Sequence, residues 1–77
     1  MSTARERTNS KWEIREQTVG GVRVDLYQGR KRLLGDTTIV EAMRYLKDHL
    51  GPEDQVFRVE PDGYRSNITR AVRRKVP

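Results

Sequence analysis

The amino-acid sequence predicts an α+β fold: a small antiparallel sheet of four or five strands packed on one amphipathic helix, in the order β-β-(β)-α-β-β. Three features predict it. Short runs alternate apolar and polar residues with the period of two that a half-buried strand requires. One stretch, Ile39 to Leu50, carries apolar residues at helical spacing. Gly-Gly, Gln-Gly and Pro-Asp-Gly fall where the strands would need to reverse. With 77 residues the chain is one domain at most, and folding at that size buries only about 60% of the unfolded surface. The expected layout is a flexible arm over 1–10, a single domain over 11–69 and a basic tail over 70–77.

From Lys11 to Thr18, Trp12 and Ile14 point one way and Lys11, Glu13 and Arg15 the other, the pattern of a half-buried strand. Gly20-Gly21 can adopt positive φ and so form a turn. Val22, Val24 and Leu26 then share a face, opposite Arg23, Asp25 and Tyr27. A reversal at Gln28-Gly29 leads to a short third strand, Lys31 to Leu34. The helix begins with Thr38-Ile39-Val40-Glu41, a capping-box pattern in which the Thr38 hydroxyl and Glu41 carboxylate satisfy free amides reciprocally. Ile39, Ala42, Met43, Leu46 and Leu50 form its apolar stripe, Arg44 and Asp48 an i,i+4 pair, Gly51 a left-handed C′ residue, and Pro52 a stop. Gln55 to Glu60 reads as a strand with Phe57 and Val59 inward, returning through Pro61-Asp62-Gly63 to Tyr64–Ile68. Residues 68–77 fit helix, strand or disorder, with a frayed helical turn preferred. The expected core is Trp12, Ile14, Val22, Val24, Leu26, Leu33, Ile39, Met43, Leu46, Leu50, Phe57 and Val59. It is small enough that a homodimer burying part of the sheet or helix is also expected.

The chain has no cysteine and one histidine, which leaves no disulfide, thiol nucleophile or thiolate metal site and makes zinc a poor fit. No apolar run approaches the roughly 18 residues of a membrane span. These features imply a cytoplasmic protein with no cofactor, no metal and no membrane partner. The acids Glu60 and Asp62 flank a turn, and no acid follows Asp62 to complete a nuclease-type metal site. His49 near a helix C-terminus fits a dipole interaction better than catalysis.

The charge pattern is more informative. Gly63 to Pro77 contains five cations (Arg65, Arg70, Arg73, Arg74 and Lys75) and no acid, whereas Met1 to Asp62 holds 11 of each sign. The net charge of +5 therefore originates in the C-terminal stretch, and such segregation attracts polyanions. Arg30, Lys31 and Arg32 sit at or beside a predicted hairpin tip, where they would reach phosphates or base edges. Tyr27, flanked by Arg23 on its own strand and Arg15 across the hairpin, suits base stacking.

Trp12-Glu13-Ile14-Arg15, Gly29-Arg30-Lys31-Arg32, Gly35, Thr38, Glu41-Ala42 and Tyr45-Leu46 together resemble the arm-binding N-terminal domains of phage-type tyrosine recombinases, over Trp12–Leu46. The resemblance implies a three-stranded antiparallel sheet on one helix, with the sheet in the DNA major groove and Arg15, Arg30 and Arg32 able to face DNA. A second hairpin follows the helix, and no recombinase catalytic domain is present.

The expected function is a small, non-enzymatic nucleic-acid-binding protein, DNA-binding or RNA-binding, with an accessory or regulatory role in a bacterium or phage. A second reading is a protein-interaction module that binds an acidic surface on a partner protein. A third is a metal-independent ribonuclease built from Arg58, Tyr64, Arg65 and His49.

Overall fold

A computed structural model describes residues 10–20 and 22–75 of the chain. The elements are β1 (Lys11–Glu16), β2 (Val24–Gln28), β3 (Lys31–Thr37), α1 (Ile39–His49), β4 (Gln55–Val59), β5 (Arg65–Asn67) and α2 (Thr69–Lys75). The α+β class holds, with two corrections. The sheet is mixed, in the order β3-β2-β1-β4-β5, because β1 runs parallel to β4 while every other pair is antiparallel. A second helix joins the first. The long excursion through β2, β3 and α1 returns the chain to the end of the sheet where β1 starts, so a parallel partner is the natural outcome.

Both helices cover one face. Ala42 and Leu46 of α1 and Val72 of α2 are buried with Trp12, Ile14, Val24, Leu26 and Val56 in a single cluster. Leu33, Leu34, Met43, Tyr45, Leu50 and Ile68 pack around it, partly buried. Several expected core residues lie elsewhere: Val22 is 70% exposed, in the β1–β2 connection outside the strand, and Phe57 and Val59 are half-buried on the opposite face. Strand β4 is out of phase with its reading because Val56, opposite Trp12, sets which side faces the helices. Ile39, in the first turn of α1, is also largely exposed.

The segment read as a tail from residue 70 is helical to Lys75, and Val72 inserts into the core at 1% exposure. Thr69 anchors its start: the Val56 amide donates to the Thr69 hydroxyl (2.8 Å). Residues 1–9, read as an arm, together with Gly21, Val76 and Pro77, lie outside the described residues. Ser10 belongs to the fold, because its amide donates to Asp54 Oδ1 (3.0 Å) and its carbonyl accepts from the Gln55 amide (3.0 Å).

The ends of α1 differ in detail from their sequence reading. The Glu41 amide donates to the Thr38 hydroxyl (3.2 Å), but the Glu41 carboxylate pairs with Arg44 (3.0 Å) instead of closing the capping box. That i,i+3 pair takes the place of the expected Arg44–Asp48 pair. The C-cap is Leu50 in extended conformation, and Gly51 is not left-handed. Its role is a close approach. Its amide donates to Asp54 Oδ2 (2.7 Å), and a Cβ there would press on that carboxylate at 3.1 Å.

Candidate nucleic-acid interface

With both helices on one side, the other face of the sheet is open among the described residues, and the strand registers map it. One row across all five strands reads Arg32, Tyr27, Glu13, Phe57, Asn67. The next row reads Asp25, Arg15, Val59, Arg65 over the inner strands and β5. Lys11 and Gln55 form the row on the other side. Neighbouring strands lie about 4.8 Å apart, so Tyr27 and Phe57 are about 10 Å from each other.

The two aromatic rings are capped by cations. The guanidinium carbon of Arg15 lies 3.9 Å from the Tyr27 ring centre, and that of Arg65 lies 4.1 Å from the ring centre of Phe57. Between them Glu13 holds both arginines, Oε1 accepting from Arg15 Nε (2.7 Å) and Oε2 lying 3.1 Å from a terminal nitrogen of Arg65. Ring quadrupole and carboxylate thus act on the same cations and fix them over the face. Arg15 and Arg65 keep 45% and 47% of their side-chain surface exposed. The outermost layer of the face is therefore guanidinium, with aromatic carbon beneath it.

Arg32 belongs to the same face. It pairs with Asp25 (3.3 Å) and lies across the space that a Cβ on Gly35 would occupy. Asp25 Oδ1 also accepts from the Asp36 amide (2.7 Å) and from Gln17 Nε2 (3.1 Å). The register between β2 and β3 shifts here, and Asp36 adopts φ of 50°, which turns its amide out of the ladder and towards Asp25. That amide is the main reason the Asp25 carboxyl lies below its ordinary range, with Gln17 and Arg32 adding to the effect against a desolvation penalty. Arg23, expected beside Tyr27, lies just before β2 and is held by Asp36 Oδ1 (3.1 Å).

The remaining cations gather at one end of the sheet. The β2–β3 turn docks on the start of β1, the Gly29 amide donating to the Lys11 carbonyl (2.8 Å). The start of β1 adjoins the α1–β4 loop through the Ser10 bonds described above. The second half of α2 reaches the same loop, where Arg73 donates to the carbonyls of Gly51 (2.8 Å), Pro52 (3.1 Å) and Asp54 (2.9 Å). These contacts bring Lys11, Arg30, Lys31, Arg73 and Arg74 to a common end. Lys11, Arg30, Lys31 and Arg74 have no ion pair among the described residues. At the opposite end Asp36, Glu41 and Glu16 hold Arg23, Arg44 and Arg58. The side chain of Lys75 lies outside the described residues.

Arg73 is thus a structural residue in this arrangement, because its guanidinium closes the α1–β4 loop. Arg70 is exposed and lines a shallow depression with Gln55, Asn67, Thr69 and Arg73, where the open face meets α2. The four residues weighed for ribonuclease chemistry are not brought together. His49 stacks on Tyr45, ring centres 4.0 Å apart, at the α1 C-terminus. Arg58, Tyr64 and Arg65 lie around the β4–β5 turn at the far end of the sheet, and Arg58 is bound to Glu16. Asp62 serves its turn, accepting the Tyr64 amide at Oδ1 (2.9 Å).

Sequence reasoning placed Phe57 inward, gave Glu13 on the outer side of β1 no role, and missed Asp54 beneath the basic end. Asp54 is 7% exposed and accepts from Trp12 Nε1 (3.0 Å) as well as from Ser10 and Gly51. The need of a buried indole N–H for an acceptor was readable from the sequence, but the acceptor's identity depended on the β1–β4 pairing. Comparison of the chain with protein-family models, curated proteins and solved structures gives no match.

Proposed function

We propose that this protein binds nucleic acid without catalysing a reaction, through the basic end of the sheet and the open face that adjoins it. One observation carries the reading: cations without acidic partners cluster where the β2–β3 turn, the start of β1 and α2 meet, while acid–arginine pairs occupy the other end. A net charge of +5 spread evenly would serve solubility. Unpaired cations gathered at one end produce a field that a phosphate chain follows. Arg30 and Lys31 project from a turn and Arg70 and Arg74 from the outer side of a helix, so each can reach a phosphate without disturbing the core.

The test is positional. Replacing Arg30, Lys31 and Arg74 together with glutamine should weaken binding and flatten its salt dependence, by about 0.9 log units per lost contact on duplex DNA or about 0.7 on single strands. Replacing Arg23, Arg44 and Arg58 removes the same charge from the other end and should change the slope far less. Equal effects from both triple variants would mean that only overall charge matters. No binding to DNA or RNA pools at low salt would end the reading.

A further inference from the structure

We infer that the open face of the sheet is a platform for unpaired bases, which makes the ligand a single-stranded nucleic acid or a loop and not a continuous duplex. The inference rests on the nucleic-acid reading above and adds the state of the ligand.

Width is the first reason. Five strands span four spacings, about 19 Å, whereas the major groove of B-DNA is about 12 Å wide. A sheet of three strands would enter that groove, but β4 and β5 extend this one beyond it. Its open face can lie against a strand whose bases are turned towards it.

Chemistry is the second. Bases stack on aromatic rings and on guanidinium planes, and this face presents two such stacks, Arg15 on Tyr27 and Arg65 on Phe57. Glu13 lies between them and Asp25 beside them. A carboxylate in the middle of the face repels a phosphate but accepts hydrogen bonds from base amino groups. The distribution therefore separates the two parts of a nucleotide: bases over the centre, phosphates along the rim formed by Lys11, the β2–β3 turn and Arg70. The depression containing Gln55, Asn67 and Arg70 connects that rim to the Phe57 stack, since Asn67 is the cross-strand neighbour of Phe57.

The experiment compares a 12-nucleotide oligo(U), an oligo(dT) of the same length and a 12-base-pair duplex, by fluorescence anisotropy at about 0.1 M salt with the full chain. The single strands should bind at least tenfold more tightly than the duplex. Tyr27→Leu and Phe57→Leu keep apolar bulk and should each weaken single-strand binding by about 5- to 100-fold, with duplex binding nearly unchanged. If either leucine variant melts early, Arg15→Gln and Arg65→Gln remove the outer layer instead and should give the same selective loss. Duplex binding equal to single-strand binding, or variants that bind single strands like the parent, would overturn the inference while leaving the basic end as a phosphate site. A stable dimer that Phe57→Leu converts to monomer would assign the face to a second copy and also overturn it. Absence of binding to all three probes, even at low salt, would remove the parent reading as well.

Discussion

Asp54→Ala is the substitution from which the structure predicts the largest effect at a polar residue. The carboxylate is buried and receives three N–H donors, from Trp12, Ser10 and Gly51, the first of them also buried. Leaving the buried Trp12 indole N–H without its acceptor costs about 1–3 kcal/mol. The two amides are only partly buried, and losing a charged acceptor adds about 1 kcal/mol more. A total near 3 kcal/mol is a large share of the about 4–12 kcal/mol expected for a domain of this length, and corresponds to a fall in Tm of roughly 12–24 °C. Asp54→Asn should recover part of this. Its NH2 must face either the Ser10 amide or the Trp12 and Gly51 donors, so one oxygen's worth of bonds becomes a donor–donor contact. Urea unfolding followed by fluorescence of Trp12, the only tryptophan, measures both. Glu53→Ala, at an exposed neighbour, is the control and should stay within about 0.5 kcal/mol of the parent. An Asp54→Ala midpoint indistinguishable from that control would refute the view that this carboxylate holds β1, the α1–β4 loop and the indole together.

Three further outcomes follow from the packing and the charge network. Val72→Ala should destabilise by about 2 kcal/mol and Arg74→Ala by much less, as read by thermal melts; equal melting temperatures would show that α2 is not docked. Deleting the chain from Ala71 onward should for the same reason unfold the domain instead of merely removing charge. Asp25, whose folded pKa is lowered, binds a proton more readily when unfolded. Its contribution is therefore present above the unfolded value of about 4 and is lost as pH falls through the lower folded value. Asp25→Asn should flatten the acid limb of the stability curve below about pH 4, and an unchanged limb would mean that the Asp36 amide bond does not hold the carboxylate.

The sequence was most legible where pattern and burial coincide. Trp12, Ile14, Val24 and Leu26 alternate cleanly, and Ala42 and Leu46 recur at helical spacing, because each faces one continuous apolar environment. Strand β4 shows the limit. Phe57 and Val59 flanking Arg58 form the better alternation, yet Val56 decides the phase because its partner Trp12 comes from a strand far away in the chain. On the open face Phe57 is sheltered by the Arg65 guanidinium instead of a helix, a substitution that hydropathy does not register. The helical spacing of Ile68, Ala71 and Val72 was readable, with Arg70, Arg73 and Arg74 on the outside, but the burial of Val72 was not: three arginines within two positions of it outweigh one valine in any local average. Of the candidate binding residues, the β2–β3 turn and α2 cations could be named from charge alone. Their arrival at a common end depended on the parallel β1–β4 pairing, which no local pattern encodes.

That pairing also bears on how the chain reaches its fold. Strands β1, β2 and β3 can form a meander from contiguous sequence, but β1 is the central strand and remains half-paired until β4 arrives. Ser10 and Asp54, which meet beside the β1–β4 pair, are 44 residues apart. Closing so large a loop is slow compared with forming a hairpin. During synthesis the edge of β1 and the indole of Trp12 therefore stay exposed until β4 and α2 have both emerged, since Val72 completes the core. The domain gains its protection late and nearly all at once, and the interval before closure is when an intermolecular strand could take the place meant for β4.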